Sequence, residues 1–104
     1  MARRNAPTIF ESVGFQTISL ANSTASGLNS TCTPGIWFHL SVETNDVRYR
    51  ADGTAPALTT GVLLATGDHW IPDVQGSALK FQRTTGTCKL SVQAYKYKDN
   101  DELA

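Results

Sequence analysis

Apolar and polar residues alternate along several short stretches of this chain, as they do in β-strands that bury one face. The clearest alternation spans residues 36–42, and its apolar side consists of Ile36, Phe38, Leu40 and Val42. The longest runs from Thr87 to about Tyr97 and has Cys88, Leu90, Val92 and Ala94 on one side. Shorter stretches lie at 15–20, 47–50 and 77–83. We therefore predict strands around one core.

Turn-forming residues separate these stretches. Glu43-Thr44-Asn45-Asp46 lies between the strands at 36–42 and 47–50, so we predict that these two strands form a hairpin. Thr66-Gly67-Asp68 predicts a tight turn between two short strands, and Pro72 limits the second of them. The turn signals recur about every 8–12 residues and no helical period is evident, which favours an all-β fold. We predict an antiparallel β-sandwich or a jelly-roll-like barrel.

The start of the chain has a different pattern. Residues 1–13 lack a steady alternation and contain Pro7, which predicts an extended N-terminal arm, or an edge strand, before a single domain at 14–104. The arm nevertheless carries apolar side chains, which favour docking on another surface. Tyr95 and Tyr97 lie on the polar side of the last strand. The residues predicted to contact another protein or a neighbouring copy are Ile9, Phe10, Val13, Tyr95 and Tyr97.

Composition narrows the possible partners. The chain has 104 residues, which suits one domain, and only 17% of them are charged. Its formal net charge is zero, so no strongly basic face is available for phosphates, and nucleic acid is not expected as a partner. No apolar run has the length of a bilayer span or of a signal core, so we expect no membrane partner and a protein made in a cytoplasm.

The sequence contains no recognisable catalytic motif. Its two cysteines, Cys32 and Cys88, lack the spacing of a zinc site, and we predict that both are free and that Cys88 belongs to the core. His39 and His69 stand in no triad pattern, so we interpret them as structural. No phosphate-binding glycine loop or paired-carboxylate signature appears. We predict no catalytic residue, no cofactor and no metal, and therefore no enzyme.

The aromatic residues offer a different kind of chemistry. Trp37, Trp70, Tyr95 and Tyr97 could anchor a protein interface or stack against sugar rings. We expect Trp70 to be buried in the core beside Ile71, whereas Tyr95 and Tyr97 are expected either exposed or in an interface. A carbohydrate-binding module that uses Trp37, Tyr95 and Tyr97 as a platform remains an alternative.

Residues 47–56, Val-Arg-Tyr-Arg-Ala-Asp-Gly-Thr-Ala-Pro, resemble a recurring segment of small tailed-bacteriophage virion proteins, in which a V-R-Y/W-R strand precedes D-G-T-A-P-T. Further segments at 61–68, 77–81 and 86–92 are similar to that family, with its G-x-x-L…G-D, S-A-I-K-F and G-x-A-x-L-x-V patterns. The resemblance covers roughly Val47 to Tyr95. Cys88 replaces the usual Ala, a change that suits the same strand position.

The resemblance implies a structural protein of a phage particle, made in the cytoplasm of a host bacterium and placed on the capsid surface of the virion. The role it implies is capsid decoration, or cement, with the major capsid protein as partner. Open sheet edges and exposed Tyr95 and Tyr97 further predict contacts between copies of the chain itself, in a homotrimer. A neck, tail or fibre component of the same virion is the alternative within this class.

Overall fold

The computed structural model describes residues 8–99, and describes side chains from Phe10 to Tyr97. Eight strands and one short 3₁₀ turn make up the regular structure of this part of the chain. The strands are β1 (Thr8–Leu20), β2 (Ser26–Gly27), β3 (Trp37–Thr44), β4 (Val47–Arg50), β5 (Val62–Leu64), β6 (Gly67–Ile71), β7 (Lys80–Arg83) and β8 (Cys88–Asp99), with the 3₁₀ turn at Gly76–Ala78 before β7. The predicted all-β class is confirmed.

The strands form two antiparallel sheets of four strands each. The first sheet has the order β1-β8-β3-β6 and the second has the order β2-β7-β4-β5. The protein is therefore a two-sheet structure and not a closed barrel. Within the described residues, no helix is long and apolar enough to span a membrane.

The core is one apolar cluster with members from both sheets. Strands β1, β3, β6 and β8 supply one side of it, and β4, β5 and β7 supply the other. Its largest fully buried side chains include Phe38 and Leu40 of β3, Phe81 of β7 and Leu90 of β8. Burying a side chain of this size contributes about 1.5–3 kcal/mol relative to its exposure. Cys32 and Cys88 are buried here as free thiols, and so is the predicted inward face of β8.

The predicted hairpin of β3 and β4 is wrong. β3 pairs with β8 and β6 in the first sheet, whereas β4 pairs with β7 and β5 in the second. Asn45, at φ 57°, turns the chain from one sheet to the other, and its Nδ2 donates to the carbonyl of Thr87 across 2.9 Å. Alternation predicted each strand correctly, but a turn of this length can equally fold over the corner of a sandwich.

The connection from β5 to β6 also crosses between the sheets. β5 pairs with β4 and β6 pairs with β3, so the turn at 65–66 lies beside the turn from β3 to β4. The two corners are bonded to each other, because the amide of Thr66 donates to Asp46 Oδ1 across 3.2 Å. The pair of corners joins the two sheets at one end.

β1 extends through the boundary that the sequence predicted at Val13. Residues 8–12 pair with 95–99 of β8, so this part of the predicted arm is an edge strand in the structure. Residues 1–7 of the predicted arm lie outside the described residues. The register shifts between Ser12 and Gly14, which makes Val13 the extra residue of a β-bulge. Val13 is half-buried and packs against the core.

Candidate functional site: the outer face of the first sheet

The face of the first sheet that points away from the core carries the candidate site. Successive side chains of a strand point to opposite faces, so the partners of each outward residue of β8 also point outward. Tyr97 stands beside Phe10, Tyr95 between Ser12 and Trp37, and Gln93 between Phe15 and His39. On the far edge, Trp70 of β6 stands beside His39.

The bulge at Val13 decides the composition of this face. Phe10 and Phe15 are an odd number of residues apart, so a regular strand would place them on opposite faces. The extra residue restores them to the same face, where Phe10 pairs with Tyr97 and Phe15 pairs with Gln93. Phe10 is 50% exposed and Phe15 is 56% exposed. The bulge therefore adds one large exposed aromatic ring to the outer face.

Five side chains at one end of the face form what we call the aromatic cluster: Phe10, Trp37, Trp70, Tyr95 and Tyr97. The ring of Phe10 lies 4.6 Å from that of Trp37 and 5.4 Å from that of Tyr97, measured between centroids. Trp37 contacts Trp70 edge-on at 6.2 Å and Tyr97 edge-on at 6.0 Å. Tilted and edge-on pairs are each worth about 0.5–1.5 kcal/mol beyond burial. The cluster is thus a preformed surface.

The expected burial of Trp70 is wrong. Trp70 is 54% exposed, whereas its neighbour Ile71 is 4% exposed and belongs to the core. Adjacent residues of a strand cannot share a face, so only one of the two can enter the core. Ile71 takes that position and Trp70 stacks on the ring of His39, with centroids 4.5 Å apart and planes inclined by 19°.

The polar groups of Tyr97 and Trp37 in the cluster differ in their hydrogen bonding. The hydroxyl of Tyr97 donates to Asp73 Oδ1 across 3.0 Å. Loss of hydration raises the pKa of this phenol, and the bond to the Asp73 carboxylate raises it further. Trp37 Nε1 is buried and has no hydrogen-bond acceptor among the described residues.

A groove of about 260 Å³ lies next to the aromatic cluster on the same face. Its lining is part aromatic and part polar: Phe15, His39, Ser41, Ser91, Gln93 and Tyr95. Gln93 Nε2 donates to Ser12 Oγ at 2.6 Å and to the carbonyl of Gly14 at 3.0 Å. Ser91 Oγ donates to Glu43 Oε2 at 2.8 Å. The groove and the cluster share only Tyr95.

Comparison of the chain with protein-family models, with curated proteins and with solved structures finds no match in any of the three. The function must therefore be argued from the residues and their geometry.

The two histidines lie in different settings. His39 Nε2 is 3.8 Å from Asp68 Oδ1 on the outer face, and His69 Nε2 is 2.6 Å from the carbonyl oxygen of Ala65. Within residues 8–99, no group of three or more His, Cys, Asp or Glu side chains is placed to hold a metal ion. The outer face offers aromatic rings and hydrogen-bonding groups.

The structure brings together three of the five predicted interface residues. Phe10, Tyr95 and Tyr97 all belong to the aromatic cluster. Val13 instead packs against the core, and the side chain of Ile9 lies outside the described residues. The prediction omitted Trp70 and Phe15 from this surface. Strict alternation from Ile71 would have identified Trp70, and alternation from the core residues Ile18 and Leu20 would have identified Phe15.

Proposed function

We propose that the protein is a structural component of a tailed-phage virion, a capsid decoration or cement protein that binds across the seams between capsid subunits and stabilises the head. The observation that carries the proposal is the aromatic cluster, because it presents Phe10, Trp70 and Tyr97 to solvent at one end of the first sheet. The resemblance of Val47–Tyr95 to small phage virion proteins supplies the class of particle.

An exposed cluster of this kind favours a protein partner. Large exposed apolar patches on soluble proteins mark interaction sites, and Trp and Tyr are enriched among the residues that dominate binding energy. The rings of the cluster already contact one another, so little side-chain entropy is lost when a partner covers them. A preformed contact surface suits a capsid-binding protein that is present in many copies.

The strand order supports a virion role at the level of fold. We assign the two sheets, β1-β8-β3-β6 and β2-β7-β4-β5, to the jelly-roll class, in which eight strands form two facing sheets. Viral capsid domains and lectins both use that architecture. The assignment is an analogy of fold, and the function rests on the surface.

The partners in this proposal are the major capsid protein and copies of the chain itself. Val62 and Leu63 of β5 are 54% and 50% exposed, on a strand that forms the open edge of the second sheet. Apolar edge strands invite pairing with another chain, so we assign the contacts of a homotrimer to β5. In a trimer, three capsid-binding surfaces act together, and the joint attachment is orders of magnitude tighter than one alone.

The decisive experiment is addition of the purified protein to phage capsids that lack it, followed by cryo-electron microscopy and a copy count. We expect hundreds of copies at symmetry-related seams. The double variant Phe10→Ser with Tyr97→Ser should lose most of this binding, because both changes remove exposed ring area and leave the core intact. Leu58→Ser is the matched control, since Leu58 is exposed outside the cluster.

The outcome also separates the alternatives. A handful of copies at one vertex or along the tail would replace the cement role with a neck, tail or fibre role. Absence from the particle altogether would overturn the proposal. Equal binding by the double variant and the wild type would show that the aromatic cluster is not the docking surface.

A further inference from the structure

We propose that the groove beside the aromatic cluster binds a single neutral sugar ring, a hexopyranose unit of a glycan. The proposal goes beyond capsid attachment, because the groove has its own lining and shares only Tyr95 with the cluster. It also differs from the sugar platform considered from sequence, which consisted of Trp37, Tyr95 and Tyr97.

The walls of the groove are spaced for one ring. Phe15 and His39 stand on either side of Gln93 in the same cross-strand row, two strands apart. Two strand spacings amount to about 10 Å. A ring stacked between two faces needs about 7–8 Å, since van der Waals contact occurs at roughly 3.5–4 Å on each side. The spacing of the two backbones is therefore compatible with one ring between the two side chains.

The chemistry of the walls suits the apolar face of a sugar. An aromatic ring carries negative charge density on its face, and a pyranose presents C–H groups of partial positive charge. Phe15 is 56% exposed and so has its ring available. On the other side, His39 is held in place by its stack on Trp70. Tyr95 borders the groove and adds a third ring.

The floor of the groove supplies hydrogen-bonding groups for hydroxyls. Both bonds of the Gln93 side chain use Nε2, and within the described part of the chain Oε1 remains an open acceptor. Ser91 Oγ donates to Glu43 and keeps lone pairs for a donor from the ligand. The hydroxyl of Ser41 makes no bond to another described residue. A hydroxylated ring offers both donors and acceptors to these three groups.

The polar floor disfavours an apolar side chain as the occupant. If hydrocarbon covered Gln93 Oε1 and the serine hydroxyls, these groups would lose their hydrogen bonds to water and gain no other partner, which is unfavourable for each group. An acidic ligand is disfavoured as well, because no Lys or Arg side chain lines the groove to pair with its negative charge. Lys89, two residues before Ser91, has its Nζ 3.7 Å from Glu43 Oε1, so its charge is paired. A neutral polyhydroxylated ring satisfies both conditions.

The size of the groove limits the ligand to one unit. Its 260 Å³ is below the range of about 300–1,000 Å³ that is typical of pockets for drug-sized ligands. We therefore expect millimolar affinity for a free monosaccharide. Several copies on one particle would raise the apparent affinity for a glycan surface through multivalency.

Saturation-transfer NMR on the isolated protein tests the proposal with five separate probes: D-glucose, D-galactose, D-mannose, N-acetyl-D-glucosamine and the acidic sugar N-acetylneuraminic acid. We expect transfer to at least one neutral sugar and none to the acidic one. Amide shifts in ¹⁵N-labelled protein should locate the bound sugar at 39–41 and 91–93.

Phe15→Ala and Ser41→Ala should each weaken binding by roughly tenfold, the size expected for one lost stacking or hydrogen-bonding contact. Leu58→Ala, outside the groove, should bind as the wild type does.

The possible results separate this proposal from capsid attachment. No transfer to any neutral sugar, or transfer that is unchanged in both groove variants, would overturn it. If Phe15→Ala abolishes addition to capsids while no sugar binds, the groove is a protein contact and the sugar proposal is wrong. If neutral sugars bind but the protein never joins a capsid, the sugar site stands and the cement role falls.

Discussion

The hydroxyl of Tyr97 donates a hydrogen bond to Asp73 Oδ1 across 3.0 Å, and this bond joins the exposed aromatic cluster to the connection that follows β6. Loss of hydration raises the pKa of the phenol, and the neighbouring carboxylate raises it further because two negative charges would repel each other. We expect Asp73→Asn to lower the pKa of Tyr97 part of the way to its ordinary value. Alkaline titration by ¹³C NMR of the tyrosine rings measures this. An unchanged pKa would show that Asp73 does not contact the phenol.

The two buried cysteines permit a second test at the residue scale. Cys32 and Cys88 are both fully buried, and burial raises the pKa of the Cys32 thiol. Because the pKa of Cys32 is raised on folding, the folded protein holds the thiol proton more tightly than the unfolded chain does. The stability that this provides is present at neutral pH and is lost as the pH rises above the ordinary thiol pKa. We expect neither thiol to react with a disulfide reagent in the native protein, and both to react in denaturant. Rapid native modification would contradict the burial.

Single residues also show how far the sequence could predict the site. The inward positions of β8 followed from alternation alone, and Cys88, Leu90, Val92 and Ala94 are all fully buried. The same alternation, applied from Ile71, would have placed Trp70 on the surface. Phe15 follows in the same way from the core residues Ile18 and Leu20. The outward face of Phe10 could not be assigned by alternation, because it depends on the extra residue at Val13.

Among the elements, β1 depends on a close approach to the loop that precedes β3. A Cβ atom added at Gly14 would lie 2.5 Å from the carbonyl oxygen of Thr31 and 2.8 Å from its carbonyl carbon. These are backbone atoms, so the loop itself would have to move. We expect Gly14→Ala to lower the free energy of unfolding by about 1–3 kcal/mol, the usual cost of overpacking. Denaturant titration measures the change.

Gly27 of β2 provides the matched control for that substitution. A Cβ atom at Gly27 would meet its nearest neighbour, the carbonyl oxygen of Leu79, at 3.5 Å, which is ordinary contact. Gly27→Ala should therefore leave the stability within about 0.5 kcal/mol of the wild type. Equal losses in the two variants would mean that the effect comes from the β-strand glycine itself and not from the contact with Thr31.

The pairing of the strands was less predictable than the strands themselves. The strands at 36–42 and 47–50 were predicted from alternation, but their pairing depended on the geometry of the connection. The corner is fixed by bonds to residues distant in sequence, such as Asn45 Nδ2 to Thr87 and Thr84 Oγ1 to the carbonyl of Asp46 across 2.7 Å. Local sequence cannot show those partners, so a hairpin and a corner have the same local pattern.

At the scale of the whole molecule, the first strand connects stability with attachment. The sequence predicted that residues 1–13 form an arm, or an edge strand, before a single domain at 14–104. In the structure, residues 8–12 pair with the last five residues of β8, Val13 packs on the core and Phe10 belongs to the aromatic cluster. Removing residues 1–13 therefore deletes part of a sheet as well as part of the proposed capsid contact.

We expect deletion of residues 1–13 to lower stability and to abolish addition to capsids. Because the ladder to β8 and the packing of Val13 are lost, the loss should be at least about 2 kcal/mol, which lowers Tm by roughly 8–16 °C in a domain of this size. Deletion of residues 1–7 is the control, since Ile9, Phe10 and Val13 all remain, and we expect it to melt and to decorate capsids as the full chain does.

The two functions of β1 are separated by Phe10→Ser, which should lose capsid binding with a much smaller change in Tm, since the ring is 50% exposed. If deletion of residues 1–7 alone abolished decoration and left Tm unchanged, attachment would belong to the segment before β1 and not to the aromatic cluster.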